Sequence, residues 1–165
     1  MTFEEYAFAR VSALLRLARL LTGDEHRAED LLQDTLARAY ARWARISRME
    51  QPDLYVRRML VNGHHSWWRR RSSREVLVTV VAERPGTSDE SAEVAERDAL
   101  WQLVRALPSR QRTVIVLRYY EDLDDWTIAE ILDCSTGTVR THAKRALAAL
   151  RNRLGRDTVE PMGVL

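Results

Sequence analysis

The sequence is short of residues that staple, break or anchor a fold. Cys134 is its single cysteine, so neither a disulfide framework nor a cysteine-based metal site is available. Four prolines and six glycines, mostly bunched, argue for helices over a turn-rich β fold. No apolar run is long enough to span a bilayer. Met1 to Tyr6 carries two glutamates and no basic residue, so a signal peptide is not expected and the chain reads as cytoplasmic. Enzymatic signatures are also missing: there is no Gly-rich phosphate loop, no metal-ligand cluster and no nucleophile–base pair. The adjacent His64 and His65 would point about 100° apart on a helix, which is poor geometry for one metal ion. No catalytic residue, metal or cofactor is expected.

What the sequence does have is patterned charge. The formal net charge is only +2, yet its distribution is uneven. Arg38, Arg42, Arg45, Arg48, Arg57, Arg58, Arg69, Arg70, Arg71 and Arg74 crowd one stretch against only Glu50 and Asp53. A second basic block runs from Arg140 through Lys144, Arg145, Arg151 and Arg153 to Arg156. Acidic stretches lie between them, from Glu75 to Asp98 and from Glu121 to Asp133. Two basic blocks separated by acids suggest two polyanion-binding surfaces, with solvated helix faces as the alternative for either block.

Apolar periodicity organises the chain into helices. Phe3, Ala7, Val11, Leu14, Ala18 and Leu21 line a first helix, which Thr22-Gly23-Asp24 ends while capping the next. A second helix runs to about Ala44 with Ala28, Leu32, Leu36, Ala39 and Trp43 inside. A third runs from about Pro52 to Arg71. With Leu60 taken as its inward direction, Val56, Gly63 and Trp67 also point inward, and Val61 and Trp68 lie on the flank beside Arg57. Val76 to Val81 reads as a short strand or an apolar tether, and Pro85-Gly86-Thr87-Ser88 as a turn-rich linker. Helices resume near Asp89, with Leu100, Leu103, Val104 and Leu107 inward. Pro108 stops that helix and starts one burying Val114, Ile115 and Leu117. Two more follow, about Trp126 to Leu132 and Ser135 to Leu154, with a frayed tail from Gly155. The expected fold is all-α: two small helical domains at 1–72 and 91–156, a flexible linker at 73–90 and a tail at 157–165.

The sharpest motif is Trp126 to His142. Ala129 is small where two helices must cross, and Asp133-Cys134-Ser135 supplies a short turn with Ser135 as N-cap. Ile128 and Val139 plug the angle between the helices. This is helix-turn-helix spacing, and the second helix would enter the major groove. Its first turns carry Thr136, Gly137, Thr138, Arg140 and Thr141 for base edges, followed by Lys144, Arg145 and Arg151 for phosphates. A plain helical hairpin with a basic outer face is the alternative. Asp133 stands at a turn position where glycine is common.

Three segments of the first half, read with this motif, carry a resemblance. Ala28-Glu29-Asp30-Leu31-Leu32-Gln33-Asp34-Thr35-Leu36-Ala37-Arg38-Ala39-Tyr40, then Tyr55 to Asn62, then Trp67-Trp68-Arg69-Arg70-Arg71 resemble region 2 of extracytoplasmic-function sigma factors. Leu107-Pro108-Ser109-Arg110-Gln111-Arg112 leading into the helix-turn-helix resembles their region 4. The Trp-Trp-Arg-Arg-Arg run looks most like the actinobacterial SigE-type branch. The resemblance implies a non-enzymatic initiation factor that binds core RNA polymerase through the β′ clamp helices and the β flap. It also implies promoter DNA as ligand and an anti-sigma factor as a plausible partner. Asp30, Gln33, Asp34 and Arg38 would face the clamp. Arg57, Asn62, His64, His65, Trp68, Arg69 and Arg70 would hold the melted −10 strand, phosphates on the cations and a base on Trp68. Thr136, Thr138, Arg140, Thr141, Lys144 and Arg145 would read the −35 duplex. The acidic linker residues Glu83, Asp89, Glu90, Glu93 and Glu96 would mimic nucleic acid in basic channels of the polymerase. A stand-alone regulator of the LuxR type is the competing class, given Thr138-Val139-Arg140-Thr141-His142.

Overall fold

A computed structural model describes residues 1–72 and 92–157, and every regular element within them is helical. The expectations for Val76–Val81, for the linker turn and for the acidic linker residues up to Glu90 fall outside the described residues, as does the 158–165 part of the tail.

The first two helices begin where their sequence supplies a side-chain cap. Helix α1, Phe3–Thr22, starts with a capping box in which Glu5 N–H donates to the Thr2 hydroxyl and Thr2 N–H donates to the Glu5 carboxylate. It ends at Gly23, whose φ of 68° is the left-handed conformation that closes a helix; its N–H donates to Arg19 C=O at 2.9 Å. Asp24 then caps α2, Glu25–Ala41, by accepting from Arg27 N–H at 3.0 Å. The second helix is thus shorter than its apolar stripe suggests. Arg42 breaks it, and a single turn, α3 at Trp43–Ile46, redirects the chain. Trp43 is pinned there by Tyr6 and Phe3 ring contacts and by its indole N–H donating to Met1 C=O at 3.2 Å. Helix α4 spans Pro52–Ser72.

In the second half α5 spans Ala92–Arg105. Pro108 precedes α6, Ser109–Ile115, which widens into a π-helical segment at Val116–Tyr120. Helix α7 spans Asp125–Leu132 and α8 spans Thr136–Asp157. The last helix therefore runs through Gly155, where fraying was expected. Leu100, expected inside, is exposed, whereas Leu107 is buried.

The two halves share one core. Leu14, Leu17, Leu21, Val56 and Leu60 from the first half are continuous with Val114, Leu117, Ile128 and Val139 from the second. A satellite cluster of Leu107, Ile115, Ala146 and Leu150 packs α6 on α8. Between the halves α1 meets α6 and α4 meets α7. Arg112, 7% exposed, fastens the first of these contacts. Its guanidinium donates to Leu21 C=O at 3.0 Å and Thr22 C=O at 3.4 Å, carbonyls that α1 leaves unpaired, and to Arg105 C=O at 2.9 Å. A cation at the C-terminus of α1 also complements the helix dipole.

Candidate nucleic-acid interface

The helix-turn-helix is built from α7 and α8. Asp124 caps α7 by accepting from Thr127 N–H at 2.7 Å, and that bond holds its carboxyl below the usual carboxylate range. Asp133 adopts the turn conformation that favours glycine, with φ of 51°. Its N–H and that of Cys134 return to carbonyls of α7, and Ser135 caps α8 by accepting from Thr138 N–H at 3.1 Å. Ile128 and Val139 are fully buried at the crossing, and Ala129 lets the helices approach. Arg140, Thr141, Lys144 and Arg145 are exposed along α8, while Thr136 and Thr138 are half-buried. Arg140 Nε lies 3.2 Å from the Asp125 carboxylate, its side chain still 66% exposed.

On α2, Asp30, Gln33 and Asp34 are exposed, opposite buried Ala28, Leu32, Thr35 and Ala39. Arg38, half-buried, pairs with Asp34 at 2.9 Å one turn away. Those four side chains form one polar strip.

Helix α4 departs from expectation. Val56, Leu60 and Val61 are buried as a core face, but His64 joins them at 2% exposure. The exposed role expected of His64 is therefore corrected. Four residues on from Leu60 lies about 40° off its direction, whereas three residues on, at Gly63, lies about 60° off. The helix accordingly turns His64 inward and leaves Gly63 half-buried. A Cβ at Gly63 would come within 2.8 Å of Arg38 Nη2, so glycine there admits the arginine. Trp67, expected in the core, is half-buried under a guanidinium: Arg27 Cζ sits 3.4 Å from its ring centroid, with Arg71 on the ring at 5.1 Å. Burial first, then Arg71, pulls Arg27 down to about 10.

Asn62, Arg69 and Arg70 are exposed, and His65 and Trp68 are half-buried. Arg57 is engaged rather than open. It pairs with Asp53 at 2.9 Å and with Glu121 of the second half at 2.7 Å. Burial alone would lower its pKa, but the two carboxylates more than offset that and hold it above the ordinary arginine value.

The structure brings the two expected DNA surfaces together. His64, His65 and Trp68 line one crevice with Ser109, Arg110, Thr113, Leu132, Cys134, Thr138 and His142. Burial, then Arg27 and Arg112, pushes His64 down to about 3. His65 and His142 are also lowered, first by burial and then by neighbouring arginines. These histidines are neutral at pH 7 and add no positive charge to the crevice.

Sequence reasoning missed Arg112, Arg27 and Glu121. A signal existed for Arg112, which sits four residues before buried Val116 and thus on its face of the helix. Glu121 offered none, because its partner Arg57 lies 64 positions away. Among the described residues no helix is long and apolar enough to cross a membrane, and no three metal-ligating side chains converge.

Comparisons with known proteins agree with this layout. The family profile described as Sigma-70 region 2 matches residues 8–74, and the one described as Sigma-70, region 4 matches residues 97–150. The RNA polymerase sigma-E factor of Streptomyces coelicolor is 41% identical over 154 residues, covering 93% of this chain and 86% of the relative. The ECF RNA polymerase sigma factor SigW of Bacillus subtilis is 29% identical, covering 86% of this chain and 82% of the relative. In solved structures, the chain is similar to the sigma factor RpoE in complex with the anti-sigma factor NepR from Bartonella quintana, with a TM-score of 0.67 and 25% identity over 96% of this chain and 98% of that one. A stand-alone LuxR-type regulator finds no support, since the matches run through both halves and name sigma factors. The chain belongs to the sigma-70 family of RNA polymerase sigma factors, in its extracytoplasmic-function group.

Proposed function

We propose that the chain binds core RNA polymerase in the cytoplasm, carries it to promoters, reads the −35 element as duplex and holds the melted −10 strand. The observation that supports this most strongly is the ordered pair of region 2 and region 4 matches, backed by a sigma-E relative aligned over 93% of the chain. Residues 1–72 would serve the polymerase and the −10 element, 73–90 would link, and 91–156 would serve the −35 element.

In this scheme the polar strip Asp30, Gln33, Asp34 and Arg38 meets the β′ clamp helices, and the second half meets the β flap. Thr136, Thr138, Arg140 and Thr141 approach base edges, with Lys144 and Arg145 on phosphates. Asn62, Arg69 and Arg70 follow the single strand while Trp68 offers a stacking face, and His65 and Arg57 join once uncovered. The chain works by positioning and does no covalent chemistry of its own. An anti-sigma factor is a further proposed partner, as the RpoE structure holds one.

The test combines the protein with core polymerase and a library of promoter DNA. Specific run-off transcripts are expected. Duplex binding without any transcript would overturn the assignment.

A further inference from the structure

The acidic turn Glu121–Asp125 touches both DNA-facing surfaces at once. Its shape is set by the core beneath it: Glu121 N–H donates to Val116 C=O at 3.1 Å, Leu123 N–H donates to Leu117 C=O at 3.0 Å, and Leu123 packs on the buried cluster. Asp122 turns the chain through a left-handed φ of 55°. The carboxylates are therefore presented rigidly. Glu121, its side chain 6% exposed, holds Arg57 at 2.7 Å. Asp125 accepts from Arg118 at 2.7 Å and from Arg140 at 3.2 Å.

These are charge-assisted hydrogen bonds from planar guanidinium groups to paired oxygens, the same contact such a group makes to a phosphate. The Arg118–Asp125 pair lies within the second half. The Glu121–Arg57 pair instead joins the two halves. Also between the halves, His64, His65 and Trp68 line a crevice with Ser109, Thr138 and His142.

We propose that the turn is an internal competitor for DNA: Glu121 occupies Arg57 as a backbone phosphate would, so the free chain is closed and DNA must displace the turn. The proposal rests on the proposed function, which makes Arg57 a DNA contact.

The full chain is titrated with single-stranded oligo(dT) of about 20 nucleotides at several salt concentrations, with fluorescence anisotropy as readout. Glu121→Gln is expected to bind several-fold tighter than wild type at low salt. Its plot of log affinity against log salt should be steeper by about 0.7, the value of one more phosphate contact on a single strand. The gain should vanish in an Arg57→Gln background. Small-angle scattering should show the wild-type chain expanding when saturated with the oligonucleotide.

Unchanged affinity and slope in a Glu121→Gln chain of normal helix content would overturn the proposal. So would an equal gain without Arg57, or no binding by either form. If Glu121→Gln does not fold, the wild-type scattering decides alone, and a complex whose protein is no more extended than the free chain refutes the competition. Run-off transcription by wild type is scored separately. Transcripts with no effect of Glu121 discard the competitor and keep the sigma factor; an effect of Glu121 without transcripts does the reverse.

Discussion

The two halves present their basic surfaces in different ways. In the second half the core of Ile128, Val139, Ala143 and Ala146 lies on one side of α8, while Arg140, Thr141, Lys144 and Arg145 lie on the other. Contact face and core do not compete. In the first half α4 serves both ends. Its face carries Leu60 and His64 inward, Trp67 under Arg27, and Arg57 and Trp68 against the second half. A duplex reader can be finished in the free protein, because the groove it enters is already formed. A surface for splayed bases needs flat aromatic partners, and exposed aromatic area is costly to leave in water. Half-burying Trp68 beside the second half lowers that cost.

The largest expected effect tests whether the halves are joined at all. Arg112→Met strips three carbonyls of a buried charged donor and should lower stability by about 3 kcal/mol, measured by urea unfolding. If the loss is negligible, the halves are independent and the contrast between a covered and an open surface collapses. Next comes the open face. Arg140→Ala should cost about 1–3 kcal/mol in discrimination between −35 sequences, while Lys144→Ala should weaken all sequences alike and flatten the salt slope by about 0.9. Equal losses on every sequence for both would erase the distinction between reading and positioning.

The third prediction concerns the covered face and pH. His64 is neutral in the folded chain, with its pKa at about 3, below the unfolded value of about 6.5. The unfolded state therefore binds the proton more readily. Stability is full above about pH 6.5 and falls as pH drops towards about 3, by at most about 1.4 kcal/mol per unit. Among the described residues neither ring nitrogen of His64 has a hydrogen-bond partner. His64→Leu should thus keep stability at pH 7 and flatten the acid limb, as denaturant titrations at several pH values would show. A large loss at pH 7 would mean that the imidazole is polar-bonded in solution and not simply core. The smallest effect is at the turn: Asp133→Gly relieves a left-handed backbone and should raise the melting temperature slightly, by under about 1 kcal/mol of stability.

Much of the fold was legible because helices announce themselves locally. The Thr22-Gly23-Asp24 break, the Pro108 start, the Ser135 cap and the Ile128/Val139 plug all depend on residues within a turn or two of each other. Misses came where tertiary contact overrode local pattern. The second helix ends at Ala41 because Trp43 is recruited into the Phe3/Tyr6 cluster. Leu100 has the right spacing but lies exposed, with nothing among the described residues burying it. His64 is inside because four residues on from Leu60 lies nearer to its direction than three residues on, which a reading with Gly63 inward overlooks.

The sequence by itself determined that this chain is helical, that Trp126–His142 is a helix-turn-helix, and that the ordered motifs are those of an extracytoplasmic-function sigma factor. Helicity and the helix-turn-helix are set by periodicity, caps and short-range order, which any stretch of chain carries with it, while the family is carried by the resemblance of the ordered motifs. Only the tertiary structure decided that the two halves share a core, that Arg112 finishes α1, and that Glu121 reaches Arg57. Such contacts join residues dozens of positions apart. Their geometry follows from how whole helices pack, and nothing in the local spacing encodes it.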